Sequence, residues 1–168
     1  DTTSVVTQSY EVLCDVGHYC AKGEAIPCPV GTYGDRPGLQ TSRCAADCVA
    51  GTYCPAGSVV PSPCEPGYYC PDGKTRVICP AGTYGKMTGL LDRMCAGLCA
   101  VGYYCSAGSV SATSAPCPAG RFGAVAGLGS SECSGLCSAG YYCTAGSPNA
   151  TQHPCGGNNL YCPVGSPL

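Results

Sequence analysis

Apolar side chains are spread thinly along this chain, and their spacing favours neither a helix nor a long strand. No segment holds a 3.6-residue apolar period long enough for a helix, and Gly and Pro together supply 40 of 168 residues. The recurring apolar feature is short: a glycine, then "TY", "YY" or "RF", then Cys or Gly. Such a pattern predicts strands of two to four residues joined by tight turns. Residues 1–13, "DTTSVVTQSYEVL", are the exception. They lack Cys, Gly and Pro, are rich in Thr, Val and Tyr, and read as a true strand.

The short feature belongs to a repeat. "CAVGYYCSAGS" from Cys99 is repeated as "CDVGHYCAKG" from Cys14, "CVAGTYCPAGS" from Cys48, "CEPGYYCPDG" from Cys64 and "CSAGYYCTAGS" from Cys137, with a loose copy, "CGGNNLYCPVGS", from Cys155. A longer phrase alternates with it: "CPVGTYGDRPGLQTSRC" from Cys28, "CPAGTYGKMTGLLDRMC" from Cys79 and "CPAGRFGAVAGLGSSEC" from Cys117. Each of these three encloses fifteen residues between its cysteines and is followed by x3-C. The nine phrases are half-units of an array whose modules are expected to touch mainly their sequence neighbours. The boundaries read as a strand-like segment 1–13, then cysteine-rich modules at 14–47, 48–98 (with an extra half-unit at Cys64), 99–136 and 137–168, the last incomplete. The expected fold is small and disulfide-rich: an elongated linear array of cysteine-rich modules with short β-hairpins and little regular secondary structure.

Composition explains why cysteine is repeated. Val, Ile, Leu and Phe number only 25 in the whole chain and Trp is missing, so little apolar surface is available to bury. Eighteen cysteines in 168 residues exceed the roughly 8–10% at which a short chain reads as a secreted disulfide scaffold. Cross-links that restrict the unfolded chain offset the conformational entropy that a core would otherwise oppose. Localisation is expected to be extracellular or at the cell surface.

Spacing alone does not fix the pairing, but parity narrows it. If the three fixed loops close on themselves (Cys28 with Cys44, Cys79 with Cys95, Cys117 with Cys133), the remaining cysteines fall into even groups. Cys14 with Cys20 and Cys99 with Cys105 are then forced, while pairing stays open within 48, 54, 64 and 70 and within 137, 143, 155 and 162. The glycine before each aromatic (Gly17, Gly31, Gly51, Gly67, Gly82, Gly102, Gly120, Gly140) is expected at positive φ, turning the chain so that the cysteines meet. The aromatics Tyr19, Tyr33, Tyr53, Tyr69, Tyr84, Tyr104, Phe122, Tyr142 and Tyr161 read as local packing over a disulfide or the next module. Phe122 indicates that no hydroxyl is needed there.

Catalytic and metal constellations are not expected. Cys44-x3-Cys48, Cys95-x3-Cys99 and Cys133-x3-Cys137 have a zinc-like step, yet all eighteen cysteines fit one framework and the histidines are His18 and His153 alone. His18 stands where sister phrases carry Thr or Tyr and reads as an exposed variant. Carboxylates are scattered singly, with no acid–base pair and no calcium-loop pattern. The chain is read as no enzyme and as needing no cofactor. A net charge of −2 without a basic block argues against nucleic acid, and no apolar run approaches the roughly 20 residues of a membrane helix.

Asn149-Ala150-Thr151 fits the N-glycosylation acceptor pattern. Ser58, Ser62, Ser109, Ser111, Thr113 and Ser114, beside prolines in loops of variable length, suit O-glycans. The chain opens on Asp1 rather than Met and stops inside "YCPVGSPL", which leads to the expectation of a processed or longer parent that self-associates or pairs with related repeat proteins.

"CPVGTYG", "CPAGTYG" and the C-x2-G-Y-Y-C-x-A-G-S phrase together resemble the ephrin-receptor-like cysteine-rich repeat, related to tumour-necrosis-factor-receptor and EGF-like modules. The resemblance covers about residues 14–165. It implies an extracellular array of the kind found in receptor ectodomains and in large surface and appendage proteins of protists and algae. The chain lacks the receptors' C-x2-C step, so no cytokine-binding role is implied. Two functions follow. One is a structural, glycosylated, disulfide-stapled rod in a filament, hair or surface coat; the other is the stalk or ligand-binding region of a receptor-like protein. Uniform modules favour the first.

Overall fold

A computed structural model of the chain describes residues 13–157 and 160–167. The expected strand at 1–13 lies outside the described residues save for Leu13, which is not in a strand. Among the described residues there is no helix, only sixteen short strands in eight antiparallel hairpins. The protein is therefore a small, disulfide-rich, hairpin-containing fold. It divides into two compact units, one of residues 1–48 and 54–61 and the other of residues 49–53 and 62–168.

The first unit holds β1 (His18–Ala21) with β2 (Glu24–Pro27), and β3 (Thr32–Tyr33) with β4 (Ala46–Asp47). A two-residue turn, Lys22–Gly23, joins β1 to β2, with both residues at positive φ as such a hairpin requires. Three disulfides, Cys14–Cys20, Cys28–Cys44 and Cys48–Cys54, staple this unit.

In the second unit the hairpins are β5 (Thr52–Tyr53) with β6 (Ser62–Pro63), β7 (Tyr68–Tyr69) with β8 (Val77–Ile78), β9 (Thr83–Tyr84) with β10 (Gly97–Leu98), and β11 (Tyr103–Tyr104) with β12 (Ala115–Pro116). β13 (Arg121–Phe122) pairs with β14 (Gly135–Leu136) and β15 (Tyr141–Tyr142) with β16 (His153–Pro154). Six disulfides staple it: Cys64–Cys70, Cys79–Cys95, Cys99–Cys105, Cys117–Cys133, Cys137–Cys143 and Cys155–Cys162. Each hairpin pairs the aromatic dipeptide of one half-unit with the two residues before the first cysteine of the next, as in Tyr103↔Pro116 and Tyr104↔Ala115.

Among the described residues, the buried apolar side chains are cysteines plus Leu39 and Leu90. Sulfur thus occupies the positions that branched aliphatic side chains fill in ordinary domains. The aromatics from Tyr19 to Tyr142 are half-buried along their own hairpins. Tyr84 and Phe122 lie beside Gly97 and Gly135 of the paired strands, 3.6 and 3.8 Å from where a Cβ would stand. An aromatic ring there supplies the packing that a glycine cannot. Tyr161 differs from its siblings: it is 82% exposed rather than packed.

Candidate interaction surface

Within each unit, half-units are held by one repeated set of backbone hydrogen bonds. In the second unit the Gly67 N–H donates to the Gly85 carbonyl (2.8 Å), and the Gly67 carbonyl accepts from the Cys79 N–H (2.8 Å). The Cys64 carbonyl accepts from the loop Gly89 N–H (2.8 Å), and the Leu90 carbonyl accepts from the Cys70 N–H (2.9 Å). The next step repeats this pattern with Gly82 to Cys105, Cys99 to Gly82, Gly108 to Cys79 and Gly85 to Ser109. The first unit uses the same set, as in Gly17 to Gly34, Cys28 to Gly17, Gly38 to Cys14 and Cys20 to Leu39.

This network gives one role to two unlike dipeptides. "GL" of the long phrases (Gly38–Leu39, Gly89–Leu90, Gly127–Leu128) and "GS" of the short ones (Gly57–Ser58, Gly108–Ser109, Gly146–Ser147, Gly165–Ser166) grip the preceding half-unit at the same place. Each of these serines turns its hydroxyl inward to a carbonyl three residues back, at 2.6–2.8 Å. Ser109 is consequently 7% exposed, so the expectation of an O-glycan there is corrected. Ser62, Ser111, Thr113 and Ser114 are exposed, and Ser58 is half-buried.

The repeat glycines carry a second constraint. Their φ values lie between 77 and 88° from Gly17 to Gly140. A Cβ on Gly67 would stand 2.7 Å from the Gly108 carbonyl oxygen, two half-units on, and one on Gly102 would collide with the Gly146 carbonyl. Within each unit, half-units therefore touch their next-but-one half-units as well as adjacent ones, contacts that join adjacent modules.

One residue separates short loops from long. Where the short phrase has its second cysteine, the long phrase has Gly34, Gly85 or Gly123, and a Cβ on these would lie 2.8–3.0 Å from the Sγ of Cys28, Cys79 or Cys117. The first cysteine instead reaches Cys44, Cys95 or Cys133, each at φ of 51–53°. No free cysteine remains.

Polar side chains serve local turns. Asp72 accepts the N–H groups of Lys74 (2.9 Å) and Thr75 (2.7 Å), which holds its carboxyl below the usual carboxylate range. Arg76 lies over the rings of Tyr68 (4.9 Å) and Tyr53 (5.5 Å) and reaches Glu65 at 3.0 Å. His18 is half-buried with Nδ1 3.3 Å from the Val16 carbonyl oxygen, not an open variant. His153 stacks on Tyr142 at 5.0 Å. Among the described residues no three His, Cys, Asp or Glu side chains cluster as metal ligands. Among the described residues no helix is long and apolar enough to cross a membrane. Asn149 is exposed and its Oδ1 accepts the Thr151 N–H at 3.2 Å.

Among the described residues, each unit carries a cleft. In the first unit, Leu13, Cys14, Cys20, Gly23, Glu24 and Gly38 line a cleft of about 430 Å³. In the second, Tyr142, Cys155, Gly156, Leu160, Tyr161 and Cys162 line one of about 390 Å³. The modules are also less uniform than their repeat implied. Met87, Leu91 and Met94 are exposed in the 79–95 loop, where the sister loops carry Arg36, Gln40 and Arg43 or Val125, Gly129 and Glu132.

No protein-family model matches the chain, and no curated protein matches it.

Proposed function

We propose that the chain is a structural extracellular protein, a glycosylated, disulfide-stapled repeat array that forms part of a filament, hair or surface coat. The observation that carries this reading is the backbone clamp repeated within each unit, in which half-units hold one another through the same groups. Side-chain chemistry contributes little to that contact, so the sequence can vary while the array persists. Nine disulfides and no free thiol suit an oxidising, secreted setting. The resemblance to ephrin-receptor-like repeats fits the same setting, and exposed Asn149 supplies a glycan acceptor. Negative-stain microscopy of native material tests the reading: fibres or a coat lattice are expected, and monodisperse single chains would refute it. Release of N-glycans should convert Asn149 to Asp in peptide maps, and an unmodified Asn149 in native protein would remove the glycan from the proposal.

One observation favours the alternative, a ligand-binding stalk of a receptor-like protein. The exposed Met87, Leu91 and Met94 distinguish one loop from its sisters, as a binding module would. A soluble ligand whose binding is lost in Leu91→Asp but retained in Arg36→Asp would favour the receptor over the filament.

A further inference from the structure

The disulfides differ in how well they are covered. In Cys48–Cys54, Cys64–Cys70, Cys99–Cys105 and Cys137–Cys143 both cysteines are buried, at 5% exposure or less. Carbonyl oxygens of the following loop close on two of these bridges: that of Ser111 lies 3.3 Å from the Cys105 Sγ, and that of Asn149 lies 3.5 Å from the Cys143 Sγ. An incoming thiolate meets packed chain and a negatively polarised oxygen there. The long bridges are lopsided. Cys28, Cys79 and Cys117 are fully buried, but their partners Cys44, Cys95 and Cys133 are half-buried.

These partners also hold a backbone conformation that side-chain residues disfavour. Their φ values are 51–53°, and among the described residues Lys22 is the only other non-glycine at positive φ. Cys20 and Cys155, in the two remaining short loops, are half-buried as well, but neither has a positive φ. Thiol exchange starts where a disulfide is reachable and strained, because the thiolate needs access to sulfur and opening relieves the backbone.

The place of the clamp gives these bridges a consequence. Each "GL" lies inside its disulfide loop: Gly38–Leu39 between Cys28 and Cys44, Gly89–Leu90 between Cys79 and Cys95, and Gly127–Leu128 between Cys117 and Cys133. Each "GS" lies beyond the second cysteine of its loop, as Gly57–Ser58 does after Cys54. Opening a long bridge therefore unties the loop whose Gly N–H and Leu C=O hold the preceding half-unit, whereas no short bridge encloses its clamp.

We infer that Cys28–Cys44, Cys79–Cys95 and Cys117–Cys133 are thiol-exchange sites, at which a low-molecular-weight thiol loosens the "GL" grips and leaves the "GS" grips in place. The thiolate attacks the Sγ of Cys44, Cys95 or Cys133 and forms a mixed disulfide. The internal S–S bond breaks, and its electron pair leaves on the Sγ of Cys28, Cys79 or Cys117, which takes up the proton that the external thiol lost to solvent. When the external thiol is removed, the internal thiolate attacks back, expels it and recloses the loop. This goes beyond the structural reading and holds for a filament or a stalk alike.

Graded exposure of the full chain to reduced glutathione in native buffer, stopped by alkylation short of full reduction and followed by peptide mass mapping, tests the sites. Glutathione should appear on Cys44, Cys95 and Cys133, with alkylated Cys28, Cys79 and Cys117. Both should appear about tenfold or more sooner than any label at the buried short bridges, where attack must wait for local opening. Hydrogen exchange on the same samples should show protection lost at the Gly38, Gly89 and Gly127 amides and retained at Gly57, Gly108 and Gly146. A double variant, Cys79→Ala with Cys95→Ala, should lose protection at Gly89 without any thiol. Buried short bridges that open first, or all bridges opening together as in global unfolding, would overturn the exchange sites. Glutathione found on Cys28, Cys79 or Cys117 instead would overturn the direction of attack, and a Gly89 amide still protected with its bridge open would overturn the release of the clamp.

Discussion

Glycine at positions such as Gly102 does two things that no other residue does together. It accepts φ of 82°, and it leaves room for the carbonyl of Gly146. Gly140 has φ of 83° but nothing within 4 Å of its Cβ position. The two constraints can therefore be separated. In denaturant melts of the dilute chain, Gly140→Ala should cost only the left-handed strain, about 1–2 kcal/mol. Gly102→Ala should add an overpacking cost of about 1–3 kcal/mol. Equal losses at the two sites would show that the close carbonyl contact is unimportant. At the aromatic position, Phe122 beside Gly135 implies that the ring rather than the hydroxyl matters. Tyr104→Phe should leave the melting midpoint unchanged, while Tyr104→Ala should lose about 2 kcal/mol of half-buried ring contact.

Hairpins of two-residue strands are marginal by themselves, so each depends on its disulfide and on the clamp from the following half-unit. Closing a loop of 16 residues removes more unfolded-state entropy than closing one of 6. Replacing Cys79 and Cys95 together by alanine should then cost about 3 kcal/mol, against about 2 kcal/mol for Cys99 and Cys105. Urea midpoints of the two double variants check the order, and a larger loss from the short loop would point to native-state contacts instead. Local legibility was high here. The positive-φ glycines, the short strands at each aromatic dipeptide and the fixed length of the long loops were all visible in the repeat. Ser109 was misread because its loop is polar and proline-rich, while its burial comes from an inward turn to the Ser106 carbonyl at 2.7 Å.

Among the described residues the buried apolar positions are thirteen cysteines and two leucines, so the backbone clamp has little apolar packing behind it once the disulfides are gone. Reduction under native buffer conditions should unfold it entirely, with loss of near-ultraviolet dichroism and of amide protection at the clamp glycines. Persistent protection at Gly67 and Gly102 after full reduction would show that the backbone ladder stands without sulfur.

The repeat itself fixes the spacing of the cysteines, the turn glycines and the shortage of core, because these are local: a residue type recurs at a set distance and its backbone preference follows. Only folding decides that "GL" and "GS" are one clamp, that Gly102 lies against Gly146, and that Cys48 pairs with Cys54, Cys64 with Cys70, Cys137 with Cys143 and Cys155 with Cys162. Gly102 and Gly146 are separated by 44 positions along the chain (146 − 102), which no short-range preference spans. Those relations arise when stapled half-units stack and each backbone polar group must find a partner.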